Sequence, residues 1–153
     1  MKTFDVIALG ELNVDLILNR IAGFPEVGKE IFARDMICTL GSSTAIFAAN
    51  VSALGARTAF AGMIGRDAFG ELVRGSLEAR GVDTRYVIEA ADRATGVTVV
   101  MSYGEDRANV TYPGAMEALR FADLDPEIFL SARHIHLSSL FMQPGLHEKR
   151  REV

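Results

Sequence analysis

Two polar side chains stand out in the N-terminal segment 13–20, which reads NVDLILNR. Apolar and other residues alternate along it, a pattern typical of a half-buried β-strand, and this period of two places Asn13 and Asp15 on one face. A carboxylate and an amide at this spacing could each bind hydroxyl groups of a polyol ligand. The same pair would also fit an ordinary solvated strand face, so both interpretations stay open.

A turn of small residues, Gly41, Ser42 and Ser43, opens the apolar segment 43–54. Small residues at a helix start let a ligand approach the backbone, and the free N–H groups of the first turn favour anions or hydroxyls. Gly and Ser also begin ordinary helices, which is the alternative interpretation. Another candidate, Arg107, lies directly before a predicted strand, where it could reach a ligand or simply decorate a turn.

Motifs for nucleotide and metal binding are incomplete in this sequence. Residues 23–30 spell GxxxxGK but end in Glu30, where a phosphate-binding loop needs Ser or Thr for magnesium, and no GxGxxG occurs. His134 and His136 would share one strand face, but no Cys, Asp or Glu stands beside them at ligand spacing, which favours structural histidines. The motifs therefore predict no catalytic residue, no cofactor-binding residue and no metal ligand.

Composition limits the class of protein. The chain has 153 residues, 49% hydrophobic and 24% charged, which fits one globular domain over residues 1–153. A net charge of −4 without a basic stripe argues against nucleic-acid binding, and we expect the basic residues 149–151 on a solvated helix face. No apolar run is long enough to span a membrane, no signal peptide is recognisable, and the single Cys38 suits a reducing compartment, so we expect a cytoplasmic protein.

Hydrophobic periodicity predicts an α/β protein. Alternating strands and helices indicate a parallel central sheet with about three buried strands, and the hairpin-like strands indicate a small side sheet. The second helix has Asp67 as its predicted N-cap and Gly81 as its stop. The predicted strands are 4–9, 13–20, 56–63, 82–88, 96–103, 108–112 and 134–137, with one or two more within 30–39, and the helices are 43–54, 67–81 and a polar one over 117–130.

Three stretches together resemble the N-terminal half of the ribokinase-like (PfkB) family of carbohydrate kinases. The first is ALGELNVD at residues 8–15, followed by Phe-Pro and Gly-Lys-Glu within 24–30. The second is LGARTAFAGMIGRDAFG at 54–70, which is similar to the family's first signature. The third combines Thr-Gly-Val at 95–97 with TYPGA at 111–115. The resemblance implies a partial three-layer α/β sandwich of the ribokinase-like type.

The resemblance also implies a small β-sheet lid over the sugar, formed by strands within 12–40 and 95–112. In that arrangement Asp15 would bind sugar hydroxyls, and Asn13 would assist it. The small-residue turn at 41–43 would lie along the substrate.

Two departures from the family concern the sugar pocket. Many members have an Asn in the first turn of the helix that contacts the sugar, and this chain has Ile46. Many also have two adjacent glycines at the turn, whereas Gly41 is followed here by Ser42. The scaffold therefore follows from the resemblance, but the identity of the sugar does not.

A larger departure concerns catalysis. Complete family members are much longer, use ATP with Mg²⁺, and carry their catalytic Asp in a Gly-x-Gly-Asp turn that this sequence lacks. We therefore expect the substrate-binding half of an ATP-dependent sugar or nucleoside kinase, inactive alone and lacking the C-terminal ATP-binding half. The alternative is a non-catalytic sugar-binding module or a homodimer formed through the lid. An unpaired sheet edge after 134–137 predicts poor solubility.

Overall fold

The computed structural model describes residues 2–147, so the basic residues 149–151 lie outside the described residues. The strands are β1 (Phe4–Leu9), β2 (Asn13–Asn19), β3 (Asp35–Leu40), β4 (Thr58–Gly65), β5 (Asp83–Ala90), β6 (Gly96–Tyr103), β7 (Asp106–Tyr112) and β8 (Ala132–Leu137). The α-helices are α1 (Ser43–Ala53), α2 (Ala68–Glu78) and the short α3 (Glu127–Leu130). Short 3-10 turns cover Gly114–Ala118, Phe121–Asp123, Leu140–Met142 and Pro144–Leu146.

The main sheet, called sheet A, has four parallel strands in the order β5-β4-β1-β8. Every residue of β4 is buried, as expected for a parallel strand that is covered on both faces. The predicted parallel α/β sheet is thus confirmed, but the predicted number of strands is one too few. The fourth strand is β5, an edge strand whose sequence DTRYVIEA mixes polar with apolar residues and so resembles a hairpin strand.

Both faces of sheet A are covered. Helices α1 and α2 pack on one face, where Ala45, Phe60 and Leu77 are fully buried in one core cluster. On the other face, the 3-10 turns pack through a second cluster that contains Leu119 and Leu124. A sheet between two covering layers is the three-layer arrangement expected of an α/β protein.

The predicted polar helix over 117–130 is wrong. The segment forms two 3-10 turns and the short α3, and the backbone is extended at Leu119 and Leu124. Pro126 disfavours helical backbone at the residue before it and starts a new turn. Because Leu119 and Leu124 are both buried against sheet A, burial of apolar side chains outweighs helix propensity here.

A separate four-stranded sheet, called sheet B, has the order β3-β2-β6-β7. Its two inner strands, β2 and β6, are parallel, and each pairs with an antiparallel outer strand. The predicted side sheet is therefore present. Its register aligns Asp15 with Thr98 and Thr98 with Thr111, so these three residues form one row across three strands. Strand alternation places their side chains on the same face.

Asp67 connects α2 to the start of sheet B. Its carboxylate accepts a hydrogen bond from the Gly70 N–H at 2.8 Å, which makes it the predicted N-cap of α2. The same carboxylate accepts from both the N–H and the hydroxyl of Thr95, each at 2.8 Å. Thr95 directly precedes β6, so Asp67 holds the point at which the chain enters that strand.

Candidate functional site

A cavity of about 360 Å³ lies where the carboxyl ends of β1 and β8 meet sheet B. In sheet A, β1 lies between β4 and β8, so the strand order continues from β1 to β4 on one side and to β8 on the opposite side. In open parallel sheets, ligands bind outside the carboxyl ends of the strands at such a switch point. The cavity is lined by Glu11, Asn13, Asp15, Ser42, Ser43, Thr98, Val100, Arg107, Asn109, Thr111, Met116, Ser139 and Met142.

Asn13 and Asp15 are hydrogen-bonded to each other in this cavity, on one face of β2 as predicted. The Asn13 side-chain amide donates to Asp15 Oδ1 at 2.9 Å and to Thr98 Oγ1 at 3.1 Å. Thr98 Oγ1 in turn lies 3.1 Å from Thr111 Oγ1. Asn13 is buried, with 5% of its surface exposed, so the solvated-strand alternative does not describe it. The result is a row of fixed polar groups that could match several hydroxyls.

The carboxylate of Asp15 is only half-buried, but this burial makes its ionised form less stable than it would be in water. Burial raises the pKa of Asp15 above its ordinary value, while the hydrogen bond from Asn13 and the positive charge of Arg107 oppose that rise. Part of the carboxylate still faces the cavity. A hydroxyl group of a ligand could donate a hydrogen bond to this carboxylate in place of the water molecules that burial removes. Polyols carry several such hydroxyl groups.

The three residues of the small-residue turn have different roles. Ser42 Oγ accepts a hydrogen bond from the Ala45 N–H at 2.9 Å and caps α1, so the helix-start interpretation is correct for this side chain. Ser43, by contrast, is exposed and turns its hydroxyl towards the cavity. Gly41 has no side chain, which leaves room for Asn13 and Asp15 beside its backbone.

Ser42 adopts a backbone conformation with φ of 66°, in the region that favours glycine. Ser42→Gly should therefore stabilise the fold by about 1 kcal/mol, because strain of ~1–3 kcal/mol is relieved and only a few tenths are lost at the N-cap. Urea unfolding measures the change. The matched variant Ser42→Ala keeps the strain and loses the cap, and it should destabilise by about 1 kcal/mol. A loss of stability in both variants would contradict the assigned strain.

Arg107 lies at the start of β7, opposite Ser102, and is exposed. Its guanidinium lines the cavity, and its charge lowers the pKa of Asp15. The structure therefore brings Arg107 to the same cavity as Asn13 and Asp15.

Several cavity residues were not predicted from the sequence. Glu11 lies two residues before Asn13, so extending the same alternation backwards along the chain could have found it. Thr98 and Thr111 depend on how β2, β6 and β7 pair, and no local pattern reveals that pairing. The others are Val100, Asn109, Met116, Ser139 and Met142.

The two strand histidines lie outside the cavity lining. His136 stacks on Phe47 of α1 with ring centroids 3.6 Å apart, and burial together with the charge of His134 lowers the pKa of His136. Among residues 2–147, no group of three or more His, Cys, Asp or Glu side chains is placed to hold a metal ion. Within the same range, no helix is both long and apolar enough to cross a membrane.

Comparison with known proteins shows the family to which the chain belongs. A nucleoside kinase from Methanothermobacter thermautotrophicus is 29% identical over 136 residues, which are 88% of this chain and 44% of that protein. Among solved structures, fructokinase from Halothermothrix orenii is 28% identical with a TM-score of 0.74, covering 87% of this chain and 45% of the fructokinase.

An uncharacterized sugar kinase from Pyrococcus horikoshii, solved in complex with ATP, is 25% identical with a TM-score of 0.74. The match covers 86% of this chain and 42% of that kinase, so this chain spans less than half the length of the relatives described here. The family model described as pfkB family carbohydrate kinase matches residues 3–151. The chain therefore belongs to the pfkB family of carbohydrate kinases.

Proposed function

We propose that this chain is the substrate-binding part of an ATP-dependent kinase that phosphorylates a hydroxyl group of a sugar or a nucleoside. The observation that carries the proposal is the polar row of Asn13, Asp15 and Thr98 in a cavity at the switch point of sheet A. The relatives named above include a nucleoside kinase and a fructokinase, which supports both substrate classes.

In this proposal Asp15 accepts hydrogen bonds from substrate hydroxyls, and Asn13 holds Asp15 in position. Ser43 lies along the side of the substrate and Arg107 approaches it from β7. The backbone of Gly41, which lies beside Asn13 and Asp15, completes that side. Ser42 contributes through the helix start that it caps. Sheet B, whose strands lie within 12–40 and 95–112, would act as a lid over the bound sugar.

We assign no site for ATP and Mg²⁺, the cofactors expected of complete family members, to the described residues. The GxxxxGK segment lies in a loop, and its Lys29 is paired with Glu26. No metal-binding cluster occurs within residues 2–147. Phosphoryl transfer requires charge neutralisation at the phosphates and a base for the attacking hydroxyl, and we assign neither to this chain.

The test is a comparison of binding with turnover. We expect calorimetric titration to detect binding of D-fructose, D-ribose or adenosine, and a coupled ADP-release assay with Mg·ATP to detect no turnover by this chain alone. Turnover with any of these substrates would contradict the assignment of a binding part only. Absence of binding to all three, in a chain shown to be folded by circular dichroism, would contradict the proposed site.

A test of the pocket follows from Gly41. An added Cβ at this position would lie 2.4 Å from both Asn13 Nδ2 and Asp15 Oδ1, so Gly41→Ala must displace the pair. We expect affinity for the sugar to fall about tenfold to hundredfold, because small displacements of binding groups are costly. Calorimetry measures the loss. Gly23→Ala is the matched control, since its added Cβ meets nothing within 4 Å, and equal losses in both variants would contradict the role of Gly41.

A second candidate function is a non-catalytic module that forms a homodimer through sheet B. The observation that favours it is the face of sheet B opposite the cavity, where Met36, Val110 and Tyr112 are 66%, 61% and 56% exposed. Val110 and Tyr112 lie two residues apart on the edge strand β7, and Met36 lies on the opposite edge strand β3, so exposed apolar side chains occur along both edges of this face. Exposed apolar surface of this kind is typical of interaction surfaces. Light scattering would show a dimer for the unmodified chain and a monomer for Val110→Lys.

We also propose a cytoplasmic location, because the single cysteine, Cys38, is a free thiol, which suits a reducing compartment.

A further inference from the structure

Glu11 is a buried acidic residue at the cavity for which neither the motifs nor the proposed function accounts. It follows β1 directly after Gly10, and only 4% of its surface is exposed. Within the described part of the chain, no Lys, Arg or His forms an ion pair with it. A buried carboxylate needs hydrogen-bond donors in place of water, so its partners indicate what it is built to hold.

Its partners are hydroxyl groups from the first residues of α1. Thr44 Oγ1 donates to Glu11 Oε2 at 3.0 Å, and Ser43 Oγ donates to Glu11 Oε1 at 3.4 Å. Both hydroxyls also contact the segment that follows β8. Thr44 Oγ1 lies 2.7 Å from Ser138 Oγ, and Ser43 Oγ lies 3.2 Å from Ser138 Oγ and 2.9 Å from Ser139 Oγ. One carboxylate therefore organises hydroxyls from two parts of the fold, the start of α1 and the segment after β8.

The charge of Glu11 dictates the direction of these hydrogen bonds. An ionised carboxylate only accepts, and each hydroxyl has a single hydrogen to donate. Since Thr44 gives its hydrogen to Glu11, the hydrogen between Thr44 and Ser138 must come from Ser138. If Ser43 also donates to Glu11, the hydrogen between Ser43 and Ser139 must come from Ser139. All four hydroxyl hydrogens then point towards the carboxylate, and the 3.2 Å contact between Ser43 Oγ and Ser138 Oγ is a contact between two oxygens with no hydrogen between them.

We propose that Glu11 is a positioning residue, which sets the hydroxyls of Ser43 and Ser139 as acceptors for a donating hydroxyl group of the substrate. Ser43 and Ser139 line the cavity, whereas Thr44 is fully buried. With their hydrogens drawn inwards, the two serines present lone pairs to the cavity. A substrate hydroxyl that donates to them is favoured, and a fluorine or a hydrogen in its place is disfavoured. This inference rests on the proposed function, because it concerns the same cavity.

Glu11→Gln tests the inference, because the amide keeps the shape but replaces one of the two acceptor oxygens with a donor, which reverses the hydrogen bond on that side of the network. The probe is whichever of D-fructose, D-ribose and adenosine the unmodified chain binds most tightly, together with its monodeoxyfluoro analogues. We expect Glu11→Gln to weaken binding about tenfold, a change that corresponds to roughly 1.4 kcal/mol. At one hydroxyl position, the unmodified chain should discriminate against fluorine, and Glu11→Gln should lose that discrimination. The matched control Glu71→Gln, on the exposed side of α2, should change neither quantity.

A double-mutant cycle with Ser43→Ala shows whether Glu11 acts through Ser43. In the Ser43→Ala background, Glu11→Gln should cost much less than in the unmodified chain, and additive losses would overturn the inference. Thr44→Val, combined with Ser43→Ala, should show the same non-additivity. It replaces Glu11→Gln in the cycle if thermal denaturation shows that Glu11→Gln does not fold. Unchanged affinity and unchanged fluorine discrimination would overturn the inference while leaving the proposed function intact. Absence of binding by the unmodified chain would overturn both.

Discussion

Replacing Asp15 with Asn should weaken sugar binding by about a hundredfold while leaving the fold intact. The amide still accepts the hydrogen bond that Asn13 donates to position Oδ1, so the internal pair is retained. What is lost is the charged acceptor for the substrate, and hydrogen bonds to charged groups contribute about 1.5–3 kcal/mol each. Calorimetric titration of D-fructose, D-ribose and adenosine measures the loss.

Stability should change in the opposite direction from binding. Burial raises the pKa of Asp15 in the folded chain, so folding favours the protonated form of this residue. The contribution of Asp15 to stability is therefore greatest at low pH and declines as the pH rises through its raised pKa. The side chain of Asn does not titrate, so its contribution to stability does not decline as the pH rises. Asp15→Asn should therefore be at least as stable as the unmodified chain at pH 7.

The matched control for Asp15 is Asp106→Asn, the same substitution in sheet B at an exposed position outside the cavity lining. It should leave sugar affinity unchanged. Acidification should weaken binding by the unmodified chain from a pH above that expected for an ordinary Asp, since the ionised form is the acceptor. Asp15→Asn with unchanged affinity would contradict the assigned role, as would a large loss of stability in that variant.

The features that were predictable from the sequence depend on residues close together in the chain. Asn13 and Asp15 share a face because they belong to one strand, and the period of two is a local property. Asp67 was identifiable as an N-cap because it directly precedes an amphipathic segment. The fold class followed in the same way from strands and helices that alternate along the sequence.

The features that were missed depend on pairing or burial at long range. Thr98 and Thr111 reach the cavity only because β6 pairs with β2 and β7 pairs with β6. The segment containing Leu119 and Leu124 contradicts its helical pattern because both side chains are buried against sheet A. For β5, the polar residues of an edge strand concealed its membership of a parallel sheet. None of these effects is visible in a short window of sequence.

Asp67→Ala should destabilise the chain by about 2–4 kcal/mol, the largest stability effect expected of a single surface carboxylate here. Loss of the N-cap of α2 costs about 1 kcal/mol, and leaving the Thr95 N–H without its acceptor costs about 1–3 kcal/mol more. Because Thr95 leads into β6, the loss should also loosen the strand that carries Thr98. Urea unfolding at pH 7 measures the stability change, and Asp92→Ala, in an exposed loop, is the matched control.

The pH dependence separates this carboxylate from a simple loss of packing. Burial by itself would raise the pKa of Asp67, but the hydrogen bonds from Thr95 and Gly70 outweigh it, and the pKa lies below its ordinary value. A lowered pKa in the folded state means that the stabilisation is complete above the unfolded-state value of about 3.9 and is lost as the pH falls through the folded-state value. The difference in stability between the unmodified chain and Asp67→Ala should therefore be constant from pH 7 to about pH 5 and shrink in more acidic solution. A difference that stays constant down to pH 3 would contradict the role of the ionised carboxylate, because packing alone does not titrate.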